Sequence, residues 1–146
     1  MDLNQLYSEV ILEHYESSPH RREMEGEHLC ERGYNPLCGD DITLQVRFDG
    51  DMIEDAAFKG KGCAISQAST SMLIDLIKGR NIGEALGFID EFLRMIKKED
   101  GDYENLEDAQ ILKGVSDFPA RIKCAVLAWH TLKNIIVKQN ELKGNK

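Results

Sequence analysis

The chain has 146 residues, enough for a sizeable core, and we expect residues 1–146 to form a single domain. Its 18 basic and 26 acidic residues give a net charge of −8 at pH 7, which argues against nucleic acid as a partner. The sequence shows no leader-like apolar start and no uncharged stretch long enough to span a membrane. These features predict a cytoplasmic protein. Because that compartment is reducing, its four cysteines favour metal or sulfur chemistry over disulfides.

The first half of the chain predicts a helix followed by a small antiparallel sheet. Apolar residues recur at helical spacing over residues 3–16, whereas residues 19–40 are polar and show no regular pattern. Apolar and polar residues then alternate over 42–48, which predicts a half-buried strand. Asp49-Gly50 is a hairpin turn signal, and residues 52–58 form the returning strand.

The second half of the chain is predicted to be helical. Helical spacing returns over 65–77, and Asn81 with Glu84 indicates a capping box that opens the next helix. Residues 97–116 are predicted to be an insertion or linker: 97–108 is highly charged and is expected to be solvated, and a short helix can form around 109–113. Pro119 marks the start of a last helix. The order predicts an α+β fold: an N-terminal helix, a small antiparallel sheet, then a cluster of helices packed on one face.

Three cysteines lie in settings that can favour a thiolate. Cys38 lies in NPLCGDD, Cys63 in KGKGCAIS and Cys124 in FPARIKCAVLAW, each beside a turn residue, a helix start or a basic residue. Asp40 follows the first cysteine by two positions. Three thiolates and one carboxylate make a complete tetrahedral ligand set for a thiophilic metal, so Cys38, Asp40, Cys63 and Cys124 are the predicted metal ligands.

Basic residues flank these cysteines in an otherwise acidic chain, and they predict a cationic rim that lowers the thiol pKa values and offsets the thiolate charge. They are Lys59, Lys61, Arg121 and Lys123. The alternative is three inert buried cysteines, since free cysteine is among the most buried residue types. The coincidence of three such settings favours the metal site.

Other residues could also supply ligands. Cys30 would complete a four-cysteine zinc site, but it lies in a charged, irregular stretch without a rigid turn, so Asp40 is the preferred fourth ligand. The histidines His14, His20 and His130 are expected to face solvent rather than to bind a metal.

With these residues in view, the chain resembles the SufU/IscU family of U-type iron–sulfur cluster assembly proteins over nearly its whole length. The resemblance is carried by NPLCGD, by GKGCAISQAS and by FPARIKCAVLAW. It implies that Cys38, Asp40, Cys63 and Cys124 form the metal and sulfur site, the same set that the local chemistry selects.

The details are closer to the SufU type. IscU-type members carry a histidine directly before the third cysteine, where this chain has Lys123, and a chaperone-binding Leu-Pro-Pro-Val-Lys-like segment where this chain has DFPARIK. The insertion at 97–116 is also SufU-like. SufU-type proteins bind zinc and accept persulfide sulfur from a cysteine desulfurase, whereas IscU-type proteins build a [2Fe–2S] cluster on the same ligands.

The resemblance therefore implies a zinc-dependent, sulfurtransferase-like partner of a SufS-type cysteine desulfurase that serves downstream iron–sulfur acceptor proteins. Cys38 is the predicted sulfur acceptor, because a glycine turn is more mobile than the helices that carry Cys63 and Cys124. One alternative is a scaffold that binds iron or a transient [2Fe–2S] cluster on the same residues. Another is a purely structural zinc domain, which is less favoured because it would not need a cationic rim and because the apolar residues suffice for a core without a metal.

Overall fold

The order of the secondary structure elements confirms the predicted α+β fold. A computed structural model describes residues 8–144. The elements are α1 (Glu9–Ser17), β1 (Leu29–Asn35), β2 (Asp40–Asp49), β3 (Met52–Lys61), α2 (Ala64–Ile77), α3 (Ile82–Ile96), a 3₁₀ segment (Glu104–Asp117) and α4 (Pro119–Gly144). Part of the predicted first helix, residues 3–7, lies outside the described range.

The three strands form one antiparallel sheet in the order β1-β2-β3. The predicted hairpin between β2 and β3 is confirmed, and Gly50 takes a positive φ of 60° in its turn. Alternate residues of β2 are buried and face the helices; they are Ile42, Leu44 and Val46. The sheet therefore buries one face against the helical layer, as the alternation predicts.

Strand β1 is absent from the sequence prediction, which treated residues 19–40 as irregular. Its inward positions contain only one large apolar side chain, so the period-two signal is missing; they are Leu29, Glu31, Gly33 and Asn35. Gly33 explains how this strand packs, because a Cβ there would lie 2.4 Å from Thr131 Oγ1 of α4. The backbone of β1 thus approaches α4 closely, and this contact takes the place of buried side chains in holding the strand.

Helix α2 is the centre of the helical layer and is buried along most of its length. The Trp129 indole of α4 donates to Ser69 Oγ of α2 at 2.8 Å, and that hydroxyl donates to the Ala125 carbonyl at 2.6 Å. Phe92 of α3 stacks on Trp129 with ring centroids 3.9 Å apart. These contacts lock the start of α4 against α2. Among residues 8–144, no helix is long and apolar enough to cross a membrane.

The highly charged stretch 97–108 is exposed apart from Tyr103 and Leu106, so it is largely solvated as predicted. The segment Glu104–Asp117 consists of two 3₁₀ stretches that meet at a kink at Glu107, where φ is 50°, and its buried side chains are Leu106, Ala109, Leu112 and Val115. The three that follow the kink recur every three positions, which matches three residues per turn. The acidic residues of the segment face outward. That 97–116 is an insertion relative to IscU-type members stays a prediction.

Two histidines are more buried than predicted. His14 forms hydrogen bonds with Ser71 Oγ at 2.9 Å and with Asp108 Oδ2 at 3.0 Å. His20 is 9% exposed and lies 2.5 Å from Asp75 Oδ1. Both attach the N-terminal part of the chain to α2, whereas His130 is exposed as predicted. The capping box of Asn81 and Glu84 is confirmed at the start of α3.

Candidate metal centre

Cys38 lies in the turn between β1 and β2, which spans residues 36–39. Gly39 has a φ of 70°, a conformation that strongly favours glycine, and this allows the chain to reverse directly after the cysteine. The Cys38 side chain is half-buried, and its thiol donates to the Ala120 carbonyl at 3.7 Å. Arg121 Nη1 donates to Cys38 Sγ at 3.9 Å. The turn and the start of α4 therefore meet at this sulfur.

Asp40 is the first residue of β2 and is fully buried. Its carboxylate accepts three hydrogen bonds: from Asn35 Nδ2 at 3.2 Å, from the Cys63 backbone N–H at 2.9 Å and from Ser66 Oγ at 3.0 Å. These bonds compensate for removing a carboxylate from water. They also fix the orientation of Asp40 between the sheet and the start of α2.

Cys63 caps the N-terminus of α2, which confirms the predicted helix start. Its sulfur accepts from the Ser66 N–H at 3.4 Å. The preceding residue must be small, because a Cβ on Gly62 would lie 2.5 Å from Ser66 Oγ and 2.7 Å from Asp40 Oδ1. The glycine thus lets α2 begin directly against the Asp40 carboxylate.

Cys124 is fully buried in the second turn of α4. Asn35 Nδ2 lies 3.7 Å from its sulfur, so one amide group contacts both Asp40 and Cys124. Burial raises the pKa of the Cys124 thiol far above its ordinary value, and Cys38, Asp40 and Cys63 add to this effect. The prediction that its setting lowers the thiol pKa is therefore wrong for Cys124 when only protein groups act on it. A cation bound by the same atoms would instead lower the pKa of this thiol.

The structure brings three of the four predicted ligands together. Cys38 Sγ, a carboxylate oxygen of Asp40 and Cys124 Sγ all lie within 4.8 Å of one another. In a tetrahedral zinc site two sulfurs are separated by about 3.8 Å, so this donor set fits a thiophilic ion with little rearrangement. The sulfur of Cys63 is outside that group, although its backbone N–H contacts Asp40. Cys30 is exposed on β1 and is not part of the group.

The cationic rim is narrower than predicted. Lys59 forms an ion pair with Glu23 at 2.7 Å, and Lys61 lies opposite Asp41 in the β2–β3 register. Strand alternation places both lysines on the face of the sheet that does not carry Asp40. Lys123 is exposed. Within residues 8–144, Arg121 places a guanidinium nitrogen 3.9 Å from the Cys38 sulfur.

Sequence reasoning missed the two residues that position the carboxylate, Asn35 and Ser66. Each lies three positions from a cysteine, Asn35 before Cys38 and Ser66 after Cys63. Ser66 could have been found, because serine hydroxyls often bond to the backbone three residues earlier, and here the hydroxyl donates to the Cys63 carbonyl at 3.1 Å. Asn35 carries no comparable local signal, since its partners are brought to it by the fold.

Comparison of the chain with known proteins identifies its family. A sequence profile described as the NifU-like N terminal domain matches residues 6–140. The chain belongs to this family. The resemblance drawn from the cysteine motifs is thereby confirmed.

Several members of the NifU-like family are similar to this chain over most of their length. One is the zinc-dependent sulfurtransferase SufU of Bacillus subtilis, 43% identical over 94% of each chain. Another is the iron–sulfur cluster assembly scaffold protein IscU of Streptococcus pyogenes, 44% identical over 92% of this chain and 84% of the relative. Among solved structures, a putative iron–sulfur cluster assembly scaffold protein for the SUF system from Fervidobacterium islandicum superposes with a TM-score of 0.86. It is 36% identical, and the match covers 92% of this chain and 98% of that one.

Proposed function

We propose that this protein binds zinc through Cys38, Asp40, Cys63 and Cys124 and accepts persulfide sulfur on Cys38 from a SufS-type cysteine desulfurase, in the service of iron–sulfur cluster assembly. The observation that carries the proposal is a pair of thiols within 4.8 Å of a buried carboxylate, one of them in a surface turn. The similarity to a zinc-dependent sulfurtransferase supports it.

The fourth ligand requires a local change at the start of α2. The Cys63 sulfur accepts a hydrogen bond from Ser66 N–H, and rotation about its Cα–Cβ bond would release that donor and turn the sulfur toward the other three ligands. When bound, zinc stabilises the ligating sulfurs as thiolates at neutral pH. Asp40 keeps hydrogen bonds to Asn35 and Ser66 and so holds its carboxylate in place.

Cys38 and Cys63 are both half-buried, but Cys38 is in the more open setting for a second protein to reach. Cys124 is fully buried, and Cys63 is held in the N-terminal cap of a helix, whereas Cys38 lies in a turn whose next residue, Gly39, has open space around it. The Arg121 guanidinium lies beside the Cys38 sulfur and stabilises negative charge on it.

The transfer step itself is a thiol–persulfide exchange. The Cys38 thiolate attacks the terminal sulfur of the donor persulfide, a new S–S bond forms on Cys38, and the donor's own S–S bond breaks. The electron pair of that bond leaves with the donor cysteine as a thiolate. No external oxidant or reductant enters the balance. Release of the sulfur to a downstream acceptor repeats the exchange with Cys38 as the donor: the acceptor thiolate attacks the terminal sulfur, and Cys38 leaves as a thiolate.

The test is desulfurase turnover together with the intact mass of the acceptor. We expect wild-type protein to stimulate turnover and to gain the mass of one sulfur atom, and Cys38→Ser to do neither. Cys30→Ser is the matched control, because Cys30 is an exposed cysteine outside the site, and it should behave as wild type. Sulfur acceptance by Cys38→Ser would show that Cys38 is not the acceptor.

A second function uses the same residues as a scaffold for a [2Fe–2S] cluster. The similarity to the IscU scaffold of Streptococcus pyogenes favours it to nearly the same degree, since the two identities are 43% and 44%. Anaerobic incubation with iron, cysteine and desulfurase separates the two. If the wild type leaves desulfurase turnover unchanged but assembles a cluster that passes to an apo-acceptor, the scaffold function replaces sulfur transfer.

A further inference from the structure

The turn that contains Cys38 also exposes a large apolar side chain to solvent. Leu37 is 79% exposed, more than any other large apolar residue within residues 8–144. Tyr34, at the end of the adjoining strand, is 55% exposed. Single exposed leucines are common on protein surfaces. This one differs in its place, because it directly precedes the proposed sulfur acceptor.

The fold explains why Leu37 points outward. The Cys38 sulfur turns toward Ala120 and Arg121 of α4, and Asn35 and Asp40 occupy the buried side of the turn. The position between them is left on the solvent side. A polar residue would satisfy the turn equally well there, so the turn itself does not require leucine.

The residues around Leu37 indicate the chemistry of the partner surface that would cover it. Tyr34 lies three residues earlier on the outward face of β1, with the Arg32 guanidinium 4.5 Å from its ring centroid. At this end of the sheet, Arg32 and Lys61 face outward against a single acid, Asp41, which pairs with Arg32 at 2.8 Å. Leu37 and Tyr34 therefore lie at an end of the sheet where these outward-facing charges sum to a positive value, in a chain whose net charge is −8.

We propose that Leu37, supported by Tyr34, is the apolar anchor by which this protein docks on its persulfide donor. The inference rests on the proposed function and names the surface that it uses. The matching site is an apolar recess rimmed by carboxylates, next to the donor's persulfide. Because Cys38 directly follows Leu37 in the chain, burial of Leu37 in that recess brings the Cys38 sulfur to the donor persulfide.

The test is the concentration of this protein that half-saturates desulfurase turnover. We expect Leu37→Ser to raise it about tenfold, the loss given by leaving most of a leucine side chain unburied. Leu37→Met keeps an apolar side chain of similar volume and should stay within about twofold of wild type. Leu142→Ser is the matched control: Leu142 is 50% exposed, and it lines a cavity with Phe48 and Gly50 at the opposite end of the sheet.

Two further measurements separate docking from an effect on the site. Zinc content and the rate of sulfur uptake from inorganic polysulfide, which needs no docking, should be the same for Leu37→Ser and wild type. A change in either would place Leu37 in the site and overturn the anchor. Half-saturation at the wild-type concentration would overturn it too. If wild-type protein accepts sulfur from polysulfide but not from any desulfurase, the proposed function fails and the inference fails with it.

Discussion

At the scale of single residues, the side-chain amide of Asn35 is the contact that joins two proposed ligands. Its Nδ2 donates to Asp40 Oδ2 at 3.2 Å and to Cys124 Sγ at 3.7 Å. Hydrogen bonds to metal ligands orient them, and their loss commonly lowers metal affinity by about 10–100-fold. We therefore expect Asn35→Ala to lower zinc affinity by about that factor, measured by competition with a chromogenic chelator.

The control for Asn35→Ala is Asn134→Ala, because Asn134 is an exposed asparagine on α4. It should leave zinc affinity unchanged. The absorption spectrum of the cobalt-substituted protein gives a second readout, since it reports ligand geometry rather than overall stability. Equal affinities and identical cobalt spectra for Asn35→Ala and wild type would show that the amide does not position the ligands.

The sequence predicts much of the site because cysteine settings are local. A turn glycine, a helix start and an adjacent carboxylate can be read from a few residues around Cys38 and Cys63. The roles of Asn35 and Arg121 depend on which segments the fold brings together. The raised pKa of Cys124 could not be predicted for the same reason, because it follows from burial and from neighbours distant in the chain.

At the scale of elements, truncating a side chain of the 3₁₀ segment tests whether this part of the chain contributes to the core. Leu112 is fully buried within it. Truncation of a buried leucine typically costs about 2–5 kcal/mol. We expect Leu112→Ala to lower the free energy of unfolding by about 2–4 kcal/mol in urea titrations, whereas Leu86→Ala, at a 37% exposed position on α3, should cost less than about 1 kcal/mol. Equal effects would mean that the segment packs only weakly.

Elements with strong periodicity were predicted well, and those stabilised by other means were not. The alternation in β2 and the helical spacing in α2 report side-chain burial directly. Strand β1 is held at the sheet edge by backbone pairing and by the close approach of Gly33 to α4, so its sequence shows no alternation. In the 3₁₀ segment a period of three falls outside the usual helix and strand templates, so the sequence predicts only a short helix around 109–113.

At the scale of the whole molecule, Asp55 connects three parts of the chain and gives the stability a pH dependence. Its carboxylate contacts Arg22 at 2.7 Å and Lys78 at 3.1 Å, and its side chain is 21% exposed. Burial opposes ionisation, but the hydrogen bonds from Arg22 and Lys78 outweigh it and hold the pKa of Asp55 below its ordinary value. A lowered folded-state pKa stabilises the fold above the unfolded value of about 3.9, and this contribution disappears as pH falls through the folded pKa.

We therefore expect Asp55→Asn to lower the free energy of unfolding at pH 7 by about 1 kcal/mol, a modest figure because solvent screens this pair. The difference should vanish in acid, where the wild-type carboxyl is also neutral. Urea titrations across the acid range measure both limits. Asp90→Asn, which removes an exposed pair with Arg94 on α3, is the control and should cost less than about 0.5 kcal/mol. A difference that persists at low pH would exclude ionisation as its cause.

The three cysteines of the site lie on segments far apart in the chain: a turn between strands, the cap of a central helix and the last helix. An ion bound by all three would act as a cross-link, and it would remove much of the freedom of the unfolded polypeptide. Loading would then raise the melting temperature of the whole protein. Departure of Cys38 to carry sulfur would release the turn between β1 and β2, whereas Asp40, Cys63 and Cys124 would still join the sheet to the two helices. Each round of transfer would thus be accompanied by a loosening and retightening of that turn alone.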